Sequence, residues 1–194
     1  MTTIHLGRHG ETDWNRERRW QGHLDPPLNA LGREQARALA EAFADVPIAA
    51  VYSSDLRRAL ETAEIVAGRL KLAVHADASL RELDVGDWSG QTLTELRARY
   101  PAPVERWERS GEPGWKGGES HEDMAARVLQ AIRAIAAAHE GEEVLVVSHG
   151  GPMRALKAVA AGVDYPRDRR SVPRSDNCEV LAIAVEDGTI RRLD

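Results

Sequence analysis

The feature that most constrains this chain is an alternation of short apolar runs with long segments of helical periodicity. Residues 2–7 (TTIHLG), 48–53 (IAAVYS), 143–148 (EVLVVS) and 178–185 (CEVLAIAV) are strand-like, and the terminal TIRRLD adds an edge strand. Between them, residues 31–44 set Leu31, Ala38, Leu39, Ala42 and Phe43 on one helical face. Residues 55–69 follow Ser54 as an N-cap, and residues 120–139 follow Ser120 with Asp123 three positions on. A further helix is expected to start at Pro152 and run to about Ala161, before Gly162. Strands separated by helices pair in parallel, so the expected fold is α/β: a three-layer α/β/α sandwich with a mostly parallel central sheet. At 194 residues the chain suits one domain spanning 1–194.

Residues 84–119 break the rhythm. Helix-like pieces (LTELRARY, VERWERS) are interrupted by GDWSG, YPAP and GEPGWKGGES, which reads as an insertion over one end of the sheet. Trp14, Trp20, Trp88 and Trp115 fall in such polar or glycine-rich connections, and either satellite packing or a pocket lining accounts for them. The single cysteine, Cys178, reads as a small buried strand residue rather than a nucleophile.

Two segments share a plan, TIHLGRHG and EVLVVSHGG, each running from strand to histidine to glycine. Ligands of parallel sheets sit beyond the carboxyl ends of strands, so His9 and His149 would face one crevice if their strands are neighbours. Gly10, Gly150 and Gly151 would admit a close backbone, and a helix starting near Pro152 would aim N–H groups at an anion. In YSSDLRRALETA, Arg57 and Arg58 occupy a first helical turn, where the helix dipole disfavours cations unless an anion is near. Arg8, Arg58, His9 and His149 together would make a local positive pocket suited to phosphate, in a chain whose net charge is -5. That overall charge gives no surface for a nucleic-acid backbone. No apolar stretch long enough to span a bilayer and no signal-peptide pattern is present, so a cytoplasmic location with no membrane partner is expected. SHGG alone would also suit an esterase oxyanion loop, but no G-x-S-x-G elbow supplies a serine. His5 and His9 are too far apart along a strand to chelate, so no metal site is expected.

Taken in order, RHGETDWN, QGHLDPPLNALGREQA, YSSDLRRALETA, LRELDVGDWSG and VVSHGG resemble the signature blocks of the histidine phosphatase superfamily, the phosphoglycerate-mutase-like enzymes. The resemblance extends from Ile4 to about Val180. It implies a phosphoglycerate-mutase-like fold and a cofactor-free, metal-independent phosphatase of small phosphorylated metabolites, working through a phosphohistidine. In that reading His9 is the nucleophile, Arg8, Arg58 and His149 bind the phosphoryl oxygens, and Glu82 is the general acid. Asn15 and Gln21 would contact phosphate or substrate, Gly150 would add a backbone N–H, and the insertion would cover the site. Trp14, Trp20, Trp88, Trp115 and His23 are candidates for the surface that selects the substrate. The resemblance also admits a cofactor-dependent phosphoglycerate mutase, or a non-catalytic phosphate-binding protein of the same fold. Such mutases carry Arg-x-Tyr-Gly after the acid and a longer insertion before the second histidine, whereas Glu82 is followed by LDVGDWSG. Both departures favour the phosphatase. Oligomeric state and substrate identity are not legible at this level.

Overall fold

The computed structural model describes residues 1–165 and 167–193. Its elements in chain order are β1 (Thr2–Arg8), α1 (Asp13–Arg16), α2 (Ala30–Ala42), β2 (Ile48–Ser53), α3 (Arg57–Leu70), β3 (Val74–Ala76), α4 (Leu93–Arg99), α5 (Pro101–Ser110), α6 (His121–Ala138), β4 (Glu143–Ser148), α7 (Gly150–Ala160), β5 (Val180–Glu186) and β6 (Thr189–Arg192). The strands form one sheet in the order β3-β2-β4-β1-β5-β6. Its first four members pair in parallel, while β5 joins β1 and β6 joins β5 in antiparallel fashion. The sheet is therefore α/β and mixed, with a parallel centre and an antiparallel flank.

Both faces of the sheet are buried, and the period of two in β4 shows how. Val144 and Val146 enter one core with residues of α6 and α7, while Leu145 and Val147 enter a second with residues of α2 and α3. Each fully buried side chain of this size contributes roughly 1.5–3 kcal/mol of transfer free energy. The three layers follow directly: α2 and α3 lie on one side, α6 and α7 on the other.

Several local expectations are corrected. Helix α2 buries Gly32, Ala36, Leu39 and Ala40, with Phe43 just beyond its end, while Leu31, Ala38 and Ala42 face solvent. The rotation follows from Gly32, where a Cβ would overlap the Glu11 carbonyl, so the helix lies backbone-to-backbone against the loop after β1. Ser54 does not cap α3. The helix starts at Arg57 without a local side-chain cap, and Asp25 instead accepts from the Arg57 N–H at 2.6 Å. Helix α7 begins at Gly150, two residues before Pro152, with His149 in the N-cap position. Cys178 precedes β5, in a turn with φ of 57°, and is half-buried. Ser120 caps α6 as expected, accepting from the Asp123 N–H at 3.0 Å. Among the described residues no helix is long and apolar enough to cross a membrane.

Candidate active site

β1 and β4 are adjacent and in register, Arg8 opposite Ser148, so the residues that follow them emerge side by side. The His9 and His149 rings lie 5.2 Å apart between centroids. The His9 backbone is held on two sides, its N–H donating to Ser148 O at 3.0 Å and its carbonyl accepting from Asn177 Nδ2 at 2.9 Å. Next to it, the Gly10 N–H donates to Thr62 Oγ1, whose own hydroxyl donates to Arg58 O on α3. One chain of hydrogen bonds thus fixes the histidine loop to the arginine helix.

The ring of His9 has a defined tautomer. Its Nδ1 lies 2.7 Å from Gly10 O, which can only accept, so Nδ1 carries the proton and Nε2 keeps its lone pair. Burial, followed by the Arg58 and Arg8 charges, holds this imidazole well below the usual histidine range, and the Gly10 bond only partly opposes them. His149 is shifted the same way by burial, Arg58 and His9.

Arg58 is fully buried at the start of α3. Its guanidinium donates to Gly22 O at 2.9 Å and Leu24 O at 2.8 Å, and burial lowers it to about 10. Arg8 donates to Ser175 O at 2.7 Å. The Nε atoms of both arginines and both ring nitrogens of His149 are buried with no partner among the described residues. Four polar nitrogens left unpaired around one histidine carry a desolvation cost of roughly 1–3 kcal/mol each, and an anion with several oxygens would offset it at both arginines and at the His149 nitrogen that carries the proton.

Glu82 reaches the same place from the far side of the cleft. Its carboxylate accepts from the Gly151 N–H at 3.0 Å and the Leu83 N–H at 2.9 Å, and a Cβ on Gly151 would overlap it. Its carbonyl is clamped by Arg127 Nη2 and His23 Nε2, each at 2.8 Å.

Arg8, His9, Asn15, Trp14, Gln21, Arg58, Glu82 and Gly150 line one cleft of about 580 Å³. His149 is wholly buried and is not among the lining side chains, although its ring touches that of His9. Asn15 spends its Oδ1 in a capping box with Thr12, which leaves Nδ2 as its free donor group. Three expectations fail. Trp88 has no exposed surface and packs edge-on against Trp20, Trp107 and Trp115, so it is core rather than substrate surface. His23 is turned away from the cleft toward the Glu82 backbone, which makes it a support for the loop that carries Glu82. Trp115 is likewise 7% exposed and off the cleft, its indole N–H donating to Glu119 O.

Sequence reasoning missed Trp107, His121, Tyr165, Arg154, Arg169 and Arg174, all of which line the cleft. A signal for some of them was present, since RDRRSVPR places four arginines within residues 167–174 of an acidic chain. No group of three or more potential metal-ligating side chains is found among the described residues.

A family model described as the histidine phosphatase superfamily (branch 1) matches residues 4–193. The chain is similar to phosphoglycerate mutase-like protein 4 of Arabidopsis thaliana, 43% identical over 190 residues, covering 93% of this chain and 78% of that one. It is 36% identical over 168 residues to phosphoserine phosphatase 1 of Hydrogenobacter thermophilus, covering 86% and 80% of the two chains. The solved structure of Bacillus stearothermophilus YhfR superimposes with a TM-score of 0.91 at 38% identity, over 99% of this chain and 95% of that one.

Proposed function

Because this chain belongs to the histidine phosphatase superfamily, we propose that it hydrolyses phosphate monoesters of small metabolites through a phosphohistidine formed on His9. The observation that carries the reading is the ring of unpartnered buried nitrogens on Arg8, Arg58 and His149 around an imidazole whose Nε2 lone pair is free. The name of the Hydrogenobacter relative, a phosphoserine phosphatase, supports a small phosphorylated substrate. Trp107 and Leu93 line the cleft from residues 84–119, which supports reading that insertion as its cover within a single phosphatase domain.

His9 Nε2 attacks phosphorus, the new P–N bond forming as the ester P–O bond breaks. Charge on the three equatorial oxygens passes to the Arg8 and Arg58 guanidiniums and to His149, so positioning and electrostatics supply most of the acceleration and no step is assigned to a metal. Nδ1–H stays on Gly10 O and steadies the ring that becomes cationic. Glu82 in its acid form gives its proton to the departing alkoxide. Its carboxylate then takes a proton from the water that cleaves the P–N bond, returning His9 to its starting state. Asn15 Nδ2 and Gln21 orient the ester from the cleft wall.

The test is a panel of phosphorylated metabolites assayed for phosphate release in excess EDTA, beside His9→Ala. Wild-type turnover should persist in EDTA, and His9→Ala should lose on the order of 10³-fold or more. Wild-type rates in His9→Ala would remove the nucleophile from the reading, and loss of activity in EDTA would remove its metal independence. Phosphate transfer within phosphoglycerate that outpaces release would make the enzyme a mutase.

A further inference from the structure

Besides Arg18 and Arg19, which follow α1, three arginines line the cleft without belonging to the phosphoryl set: Arg154 on α7, and Arg169 and Arg174 on the segment between α7 and β5. Unlike Arg33, Arg81 and Arg127, none of them has a carboxylate within ion-pair distance among the described residues. Arg169 is only 5% exposed, its guanidinium lying 5.8 Å over the Trp107 ring and against Gly111. No hydrogen bond from that guanidinium is found among the described residues. Arg154 is oriented by a single bond, Nε to Val172 O at 2.9 Å, which leaves the terminal nitrogens of its fork uncommitted. The three are close enough to feel one another: after burial, Arg174 and Arg169 are the main cations lowering Arg154. His121 stands beside them with Nε2 buried and unpartnered. The Tyr165 hydroxyl lies 3.4 Å from its Nδ1; when that hydroxyl donates, Nε2 carries the ring proton and is a donor.

Gathering cations without counter-charges is unfavourable unless something negative occupies the space between them. The acids nearest this group do not fill that role. Glu122 contributes only a lesser attraction to Arg169, and Asp176, which attracts Arg8, forms no ion pair with any of the three among the described residues. Planar guanidinium forks match the paired oxygens of a carboxylate or phosphate.

We propose that the cleft holds a second anion-recognition subsite, formed by Arg154, Arg169 and Arg174 with the His121 Nε2 donor, which binds a carboxylate or second phosphate carried by the same ester substrate. The inference rests on the phosphatase reading for where the ester itself sits. It makes doubly anionic metabolites the substrate class.

Two matched pairs of esters test it. Glycerol 3-phosphate and 3-phosphoglycerate differ in a carboxylate, while the mono- and bisphosphates of propane-1,3-diol differ in a second phosphate. Binding is measured by calorimetry on His9→Ala, and kcat/KM on the wild type. In at least one pair the doubly charged member should be preferred by about tenfold or more, the worth of one charge-assisted hydrogen bond. Whichever pair shows the preference identifies the group. Arg174 is exposed, so Arg174→Gln should fold and should cut that ratio by about fivefold or more, with Arg154→Gln acting likewise. The subsite is overturned if neither pair reaches that preference in binding, or if both variants leave the ratio standing. Absence of turnover with every ester, while the binding preference persists, would sink the phosphatase reading alone.

Discussion

Arg127 shows how a single side chain can govern a site it does not enter. Its guanidinium donates to the carbonyls of Ser79, Arg81 and Glu82 and forms a two-pronged pair with Glu119, so one cation gathers three carbonyls of the loop that carries the proposed acid. Removing it takes the donor from the Ser79 and Arg81 carbonyls and the counter-charge from Glu119, while the Glu82 carbonyl keeps His23. We expect Arg127→Met to lower the free energy of unfolding by about 2–4 kcal/mol, read from denaturant midpoints, because the stranded partners must be desolvated unpaired. If the role is positioning, kcat should fall more than KM rises, and Arg127→Lys, which keeps the charge but not the fork, should recover only part of the loss. Unchanged kcat in the methionine variant would mean that the Glu82 loop holds its shape unaided. Asn177 supports the His9 loop through the His9 carbonyl, 168 residues away in sequence. Neither residue stood out in the sequence, because a hydrogen bond to a distant carbonyl leaves no local pattern. Arg8, His9, Arg58 and His149 did stand out, since each sits beside a strand end or a helix start where geometry is readable from neighbours.

At the scale of elements, burial decided what could be read. The long apolar runs became β1, β2, β4 and β5, and the resulting strand ends fixed the cleft. By contrast β3, three residues of VHA, and α1, four residues, are too short to carry a periodicity, and the alternation gave no hint that β5 would run antiparallel. Helix starts were misread wherever the cap came from afar, as Asp25 does for α3. The tryptophans divide along the same line. Trp20 and Trp107 reach the cleft, while Trp88 and Trp115 lie behind them, and the rings meet edge-on at centroid distances of 5.0–6.0 Å, with Trp20 and Trp115 tilted at 6.2 Å. Helices α4 and α5 carry few other large apolar groups, Leu96 and Val104 being their buried residues, so this cluster is what fastens them to the sheet layer. Trp88→Ala should therefore cost about 3–5 kcal/mol of stability, and Trp88→Phe markedly less. The same truncation should raise hydrogen exchange across residues 93–110 ahead of the sheet. Full stability with lost substrate discrimination would instead return Trp88 to the cleft surface.

For the whole molecule, the consequence of building a positive pocket inside an acidic chain is sensitivity to acid. His9 and His149 are buried neutral, each held well below the ordinary histidine range by burial first and then by the surrounding arginines. His121 is pushed to about 4, by burial and then by Arg169 and Arg154. All three regain an ordinary value near 6.5 when the chain unfolds, so below that pH the unfolded state binds protons that the folded state refuses. A depressed folded value means that their contribution is fully present above about pH 6.5 and is lost as pH falls toward the folded values. At pH 5.5 His121, still unprotonated, has forfeited roughly 1 kcal/mol, and His9 and His149 act in the same direction, against the 5–15 kcal/mol that holds a typical domain folded. Thermal unfolding followed from pH 7.5 to 5.5 should show the midpoint falling below pH 6.5, and His121→Phe, which removes one of the three sites, should flatten that slope in part. Inorganic phosphate should oppose the fall, because an anion among Arg8, Arg58 and the two histidines favours their protonated forms while binding only the folded state. A midpoint independent of pH across this window would mean that these imidazoles are not held neutral. The phosphate effect is the more discriminating measurement, since it ties the acid instability of the fold to the unpaired nitrogens of the cleft rather than to histidines elsewhere on the surface.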